Sequence, residues 1–471
     1  MTVTLTSGLG KFVAELKYED LPADVVAAVD MVITDCIGCA IAGSADPAPQ
    51  ILKTMLAPAG KEATLIVGEG RASALDAAWI NGTAAHALDY DDVAQRGGHP
   101  SAVLVPAILA EAEVLGSTGR QMVLAYAAGF EVYSDLARRD VEAQHEKGWH
   151  PTSIFGTIGA AAACASLRGL DAHKAAMAIA ISASQSSGLV SNFGTMTKPM
   201  HAGRGAHAGV ASARLAGLGF TGASDAIEHA PGLLEAVSAF NRFDVETPLR
   251  AGREWQITST NRIGIKKYPM CYCVHRSLDG MLDLLARAPV KPEDVERVSV
   301  SYSPRNVTIL RNHSPQTGLE AKFSIEFAMA SALIAHRAGL AELSDEFVRR
   351  ADVQALIKRV SAQAADDRPH PKRPGYAVYD QVTVDLRDGR RLDSGPIHDI
   401  RGDANVPLTH EELWRKFEDC VQAGNARIPA RELFDTLMSL ENAGSAHEVA
   451  RLLTPRTGTL KKVAAAGSKA G

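Results

Sequence analysis

VERVSVSYS, from Val295 to Ser303, alternates apolar and polar residues with the two-residue period of a half-buried strand. Such alternation is scarce in the first 245 residues, which read mostly as helix. Upstream, Pro22 to Ala42 places Val25, Val29, Val32, Ile33 and Ile37 on one helical face. Ser73 to Leu88, Ala102 to Leu115 and Gly119 to Ala137 have the same character, with glycine-rich junctions separating several of these segments. Ala160 to Leu167 and Ala175 to Ser184 are rich in Ala, Ile and Ser, which suits helices packed with their backbones close together. They lack the large, regularly spaced residues of a coiled-coil seam. Downstream, Tyr379 to Leu386 alternates again, before an Asp388-Gly389 turn and a short strand near Arg391. Phe323 to Ala338 and Asp345 to Val360 read as helices between the strands. After Pro407, Thr409 caps an amphipathic helix in THEELWRKFEDCVQ; Ala430–Leu440 and Ala446–Leu453 continue as helix, and the tail from Thr457 reads as frayed. The expected fold is mainly α: a large helical domain over residues 1–260, completed by 401–471, and a smaller α+β domain over 261–400.

The 471 residues suffice for two or three domains with large cores. A net charge of −5 leaves no broad positive footprint, so neither nucleic acid nor an anionic membrane is an expected partner. The N-terminus lacks the pattern of a secretory signal, and no uncharged apolar run reaches 18 residues, because Glu111 and Glu113 interrupt the best candidate. The expected setting is cytoplasmic and reducing, and the six cysteines form no dense disulfide framework. Cys36 and Cys39 make a CxxC inside an apolar helical stretch and read as packing. GRGAHAG, from Gly203 to Gly209, has neither the preceding strand nor the spacing of a phosphate loop.

Four polar clusters interrupt these apolar surroundings. In HALDYDDVAQRGGHPSAV, His86, Asp89 and Asp92 share one face if the helix continues, with Asp91 pointing elsewhere, and His99 opens the next apolar segment. Carboxylates and imidazoles so spaced can move protons or hold a metal; a solvated helix end is the plainer reading. In HEKGWHPTSIFGTIG, His150 stands at a helix start, where backbone N–H groups favour an anion. In SNFGTMTKPMHAGRGAHAG, Thr197, Lys198, His201 and Arg204 gather donors and positive charge, with Lys198 at a helix boundary before Pro199. In IGIKKYPMCYCVHRSLDG, Lys266, Lys267 and Tyr268 supply cations and a hydroxyl, and Cys271 and His275 have i,i+4 spacing. That Cys/His pair is weak support for covalent catalysis; anion binding explains the positive charge more readily. Together the clusters suit an acidic substrate. Proton removal beside a carboxylate creates an enediolate-like species, whose added negative charge nearby cations stabilise.

These segments carry a resemblance. Asn81-Gly82-Thr83, HALDYDDV, His99-Pro100-Ser101, HPTSIFGTIGAAAA from His150, TMTKPMHAGRGAHAGV, IKKYPMCYCVH and AKFSIEFAMA from Ala321 are together similar to the MmgE/PrpD family, over residues 5 to 455. That family includes 2-methylcitrate dehydratases, cis-aconitate decarboxylases and iminodisuccinate epimerases. The resemblance implies a helical domain with an α+β, lid-like domain, a homodimer, and an active site in the cleft between domains. It implies that Asp89, His99, His150, Lys198 and Lys266 line the catalytic pocket, with Asp89 and His99 as proton-transfer partners and the lysines as carboxylate-binding groups. His86, Thr197, His201, Arg204, Lys267, Tyr268, Cys271 and His275 are the expected substrate-binding surroundings. Two positions depart from the decarboxylase pattern: Val93 replaces a threonine, and Cys271 a pocket histidine. The expected activity is that of a cofactor-independent lyase, with no metal required, dehydrating a 2-hydroxy polycarboxylate in the manner of 2-methylcitrate dehydratase. Epimerisation of an aminodicarboxylate such as iminodisuccinate is the runner-up; cis-aconitate-type decarboxylation and a non-enzymatic scaffold rank below it.

Overall fold

The computed structural model describes residues 4–66, 70–94, 98–140, 143–259, 263–371, 375–403 and 405–455. The tail expected to fray lies outside them. Helices occupy the segments expected to form them: Ala23–Gly43, Ala74–Ala87, Ser101–Leu115, Gly119–Ala137, Pro151–Leu167 and Ala172–Ala183; Thr197–Gly217 is a further long helix, beginning at the boundary expected before Pro199. Ser73, Thr118 and Asp171 each begin a helix by accepting a backbone N–H on the side chain, as short polar residues do at N-caps.

The Gly/Ala-rich composition is explained by how closely these helices approach. A Cβ built on Gly82 would stand 2.8 Å from the Gly203 Cα, and one on Gly203 would stand 2.2 Å from the Trp79 carbonyl oxygen. GRGAHAG is therefore the middle of a packed helix, and its glycines make room for a neighbouring backbone. Gly203→Val is expected to destabilise the protein by about 1–3 kcal/mol through overpacking, read as a lower urea midpoint at constant slope. A midpoint equal to wild type would show that these helices can part without cost.

Ala23–Gly43 is long and apolar enough to cross a membrane, but 78% of its apolar window is buried inside the protein, as befits the core helix of a globular fold. Cys36 and Cys39 are buried along it, and all six cysteines are free thiols.

After residue 268 a second apolar core forms around a four-stranded sheet. Its order is Val360–Ala364, Val295–Tyr302, Gln381–Leu386, Arg391–Asp393; the first pair is parallel and the others antiparallel. Val298 and Val300 are buried, facing Val384 and Val382 across the sheet. One expected element is corrected. Asp345 to Val360 is not a single helix but two short ones, Asp345–Val348 and Ala351–Ile357, followed by the edge strand that begins at Val360. The five residues VSAQA are too few for their alternation to outweigh the helical pattern before them. The C-terminal helices His410–Ala423, Ala430–Leu437 and Ala446–Leu453 pack back into the first core through Leu413, Phe417, Phe434 and Leu452. The protein is thus predominantly helical, with a smaller sheet-containing region beside the helical core.

Candidate active site

The helix Ala74–Ala87 stops at His86-Ala87, and Leu88 caps it. Asp89 then adopts a left-handed conformation, φ 53°, uncommon for a residue with a Cβ. The expectation that His86, Asp89 and Asp92 share a helical face is therefore corrected: the helix does not continue, and the turn reassigns the carboxylates. Asp91, expected to point away, accepts from His86 Nδ1 at 3.0 Å and lies 3.3 Å from His99 Nδ1. Asp92 is buried nearby, and its carbonyl takes the His99 Nδ1–H at 2.7 Å. With Nδ1 committed as donor, the lone pair of His99 resides on Nε2, 3.6 Å from Asp89 Oδ1. The His99 backbone N–H is fixed by Thr152 Oγ1 at 3.0 Å.

Asp89 collects positive charge. Lys198 Nζ lies 2.8 Å and Lys266 Nζ 3.2 Å from its Oδ1, and Lys266 also donates to its carbonyl at 2.6 Å. Burial opposes ionisation of Asp89, but Lys198, Lys266 and the neighbouring imidazoles overcome it and hold the carboxyl well below the usual range. Asp91 is likewise pulled down, against burial, by His86 and His99. Asp92 is pushed well up by burial and by the charge on Asp91.

His150 caps the helix Pro151–Leu167 by position, without a side-chain capping bond. Its Nδ1 shares a proton with His201 Nδ1 at 3.2 Å, and its ring stacks 5.8 Å from that of His86. The Nε2 atoms of His86 and His150 are buried without a hydrogen-bond partner among the described residues. Burial, reinforced by the positive charge of Lys198, holds both imidazoles below their ordinary value, His86 down to about 4. The unfolded chain takes the His86 proton first, so the stability this imidazole contributes is complete above about 6.5 and is lost as pH falls toward 4. The expected result is that His86, followed by nitrogen NMR of the histidine-labelled protein, titrates near 4; a midpoint near 6.5 would mean the imidazole is solvated.

The remaining sequence candidates divide. His201 belongs to the cluster through His150, and Thr197 begins the helix that carries Lys198. Cys271 caps the helix Tyr272–Arg287, its thiol held down by a hydrogen bond from Cys273 against the effect of burial, with Lys266 and Asp89 both close enough to act on it. His275 donates Nε2–H to the Met270 carbonyl at 3.2 Å and is pushed down to about 3 by burial and then by Lys266. Three candidates have their partners elsewhere: Lys267 pairs with Glu412 at 2.9 Å, the Tyr268 hydroxyl donates to Asp279 at 2.7 Å, and Arg204 contacts His207 and lies 5.1 Å over the Trp79 ring. Two further residues stand here: Asp91, expected to point away, and Lys322, which no local pattern in the sequence singles out. Lys322 comes from the AKFSIEFAMA segment, donates to the Leu88 carbonyl at 2.7 Å, and is lowered to about 8 by burial.

One donor each from His86, Asp89, Asp91 and His99 lies within 4.8 Å of the others, a spacing that could hold a metal ion. The fit is poor, because Lys198 and Lys266 already crowd Asp89 Oδ1 with two positive charges. The arrangement favours an anion: ammonium groups stand beside the His86 and His150 imidazoles, which burial keeps neutral, and the basic Nε2 of His99.

The chain is also similar to known proteins over most of its length. Residues 7–246 match the MmgE/PrpD N-terminal domain, and residues 268–436 match the MmgE/PrpD C-terminal domain. A cis-aconitate decarboxylase from Homo sapiens is 28% identical over 353 residues, covering 72% of this chain and 71% of the human protein. One from Mus musculus is 26% identical over 393 residues, covering 80% and 78%. One from Aspergillus terreus is 22% identical over 463 residues, covering 93% of each chain.

Proposed function

We propose, for a chain that belongs to the MmgE/PrpD family, a lyase that removes a proton beside a carboxylate of a 2-hydroxy polycarboxylate and eliminates water. The observation that carries this reading is the His99 imidazole, its Nδ1–H committed to the Asp92 carbonyl and its Nε2 turned to a carboxylate held by two lysines. His99 Nε2 is the base. Asp89, held well below the usual carboxylate range, is too weak a base for a carbon acid and instead orients the two ammonium groups. Asp91 lies behind His99 and stabilises the imidazolium as it forms.

The substrate carboxylate takes Lys198 and Lys266, and these ammonium groups stabilise the enediolate as charge moves onto its oxygens. The C–H proton passes to His99 Nε2, the electron pair forms the carbon–carbon double bond, and the C–O bond breaks. With His201 donating from its Nδ1, the His150 Nε2 carries a proton and delivers it to the departing hydroxyl. Water then takes the proton from the His99 imidazolium and returns one to His150, left as an imidazolate beside the positive charge of Lys198, which restores both imidazoles. Every step uses groups of this chain, so the reaction as proposed calls for no cofactor.

Decarboxylation is the second reading, favoured by the activity in the names of the curated relatives. Against it stand Val93 and Cys271, the two departures from the decarboxylase pattern. The test is product analysis over a panel of 2-methylcitrate, citrate, cis-aconitate and iminodisuccinate. A product one water lighter than a hydroxy acid, absorbing as a conjugated alkene, is expected. Loss of carbon dioxide from cis-aconitate would replace dehydration by decarboxylation, and inversion at constant mass would replace it by epimerisation.

A further inference from the structure

Three backbone carbonyls in succession each accept a hydrogen bond from a different buried lysine. Lys322 donates to the Leu88 oxygen at 2.7 Å, Lys266 to the Asp89 oxygen at 2.6 Å and Lys416 to the Tyr90 oxygen at 2.8 Å. The lysines arrive from separate parts of the chain. Lys322 belongs to the sheet-containing region, Lys266 to the approach to it, and Lys416 to the C-terminal helix His410–Ala423. The turn they grip follows the end of Ala74–Ala87, where helix carbonyls lack internal partners and where positive charge is favoured by the helix dipole. It also contains Asp89 in its left-handed conformation, which persists only where the surroundings hold it.

Lys416 is anchored on every side. Its Nζ lies 2.5 Å from Asp35 Oδ1, on the core helix Ala23–Gly43, and 4.0 Å over the Tyr90 ring. The Tyr90 hydroxyl donates to the Lys267 carbonyl at 3.0 Å, and Val93 pairs through its backbone with Gly264. Lys322 is tied down by its own backbone, whose carbonyl accepts the Cys271 N–H at 2.9 Å. Neither lysine bonds a carboxylate of the Asp89–Asp92 run; both hold backbone on either side of Asp89.

We infer that Lys322 and Lys416 are positioning residues for the Asp89–His99 centre. They act through the Leu88 and Tyr90 carbonyls, fix the turn that aims Asp89 and Asp91 at His99, and make that geometry depend on the seating of the sheet-containing region and the C-terminal helix. The inference rests on the proposed function for its kinetic consequence and on geometry alone for its structural one.

The experiment uses the full chain with two changes: Lys322→Met, and the double substitution Asp35→Asn/Lys416→Met, which removes both charges of the buried pair together. Amide hydrogen exchange over residues 86–94 is read by mass spectrometry, and kcat and KM on whichever acid of the panel turns over. The expected result is exchange faster by about tenfold or more in 86–94, with Gly119–Ala137 unchanged. With it, kcat falls roughly tenfold while KM moves by less than about threefold, and Lys322→Arg, which keeps a donor, recovers both. Unchanged exchange in 86–94 in both variants overturns the inference, and so does an equal acceleration in every segment, which would mark a merely global role. A rise in KM with kcat and exchange preserved would make Lys322 a substrate ligand and overturn it too. If the wild-type protein turns over nothing in the panel, the functional reading fails while the exchange result still decides the positioning role.

Discussion

His99→Asn is expected to lower turnover by roughly 10³-fold, within the range of about 10²–10⁴ that a positioned general base supplies. Asparagine keeps a donor where the imidazole presents Nδ1, so the hydrogen bond to the Asp92 carbonyl survives; the backbone bond to Thr152 Oγ1 does not involve the side chain at all. Only the basic Nε2 is removed. The loss should fall on kcat, with KM and the urea midpoint close to wild type, because the lysines and Asp89 remain in place. Steady-state kinetics with a denaturation curve checks both halves. Turnover within about tenfold of wild type would dismiss His99 as the base.

Asp89→Asn should cost turnover on a similar scale, roughly 10²–10³-fold, for a different reason. The substitution keeps the shape of the side chain but removes the charge that gathers Lys198 at 2.8 Å and Lys266 at 3.2 Å. The two ammonium groups then repel each other and lose their common orientation. Stability should fall by only about 1–3 kcal/mol, since the side chain is not fully enclosed and the amide can still meet one lysine. A variant with near-wild-type turnover would remove Asp89 from the site; one that unfolds outright would make its role structural.

The sequence carried the helices well, because 3.6-residue periodicity and small-residue composition are local properties of segments such as Pro22–Ala42 and Ala160–Leu167. The edge strand at Val360 was hidden, since five residues beside a helical pattern show too few periods to be separated. Family resemblance brought Asp89, His99, His150, Lys198 and Lys266 into view, and four of them now share contacts around one carboxylate. Asp91 was misread because its role depends on where a helix stops. Extrapolating the helix past Ala87 turns Asp91 outward, whereas the left-handed residue at Asp89 turns it onto two imidazoles. Lys322 and Lys416 were beyond reach for another reason: each acts on a backbone carbonyl more than two hundred residues away, and no local pattern encodes that. Lys267 shows the reverse: it sits in the right motif, yet its ammonium turns to Glu412.

Removal of a proton beside a carboxylate by His99 is read most directly as solvent exchange at that carbon. The wild-type protein is held with a 2-hydroxy polycarboxylate in deuterium oxide until the hydroxy and unsaturated acids equilibrate, and the recovered acids are read by proton NMR. The signal of the C–H beside the carboxylate is expected to disappear as deuterium replaces it, and to persist in a parallel reaction with His99→Asn. A signal that survives in the wild-type reaction across the whole panel, or that is lost equally fast with His99→Asn, would contradict proton removal by His99.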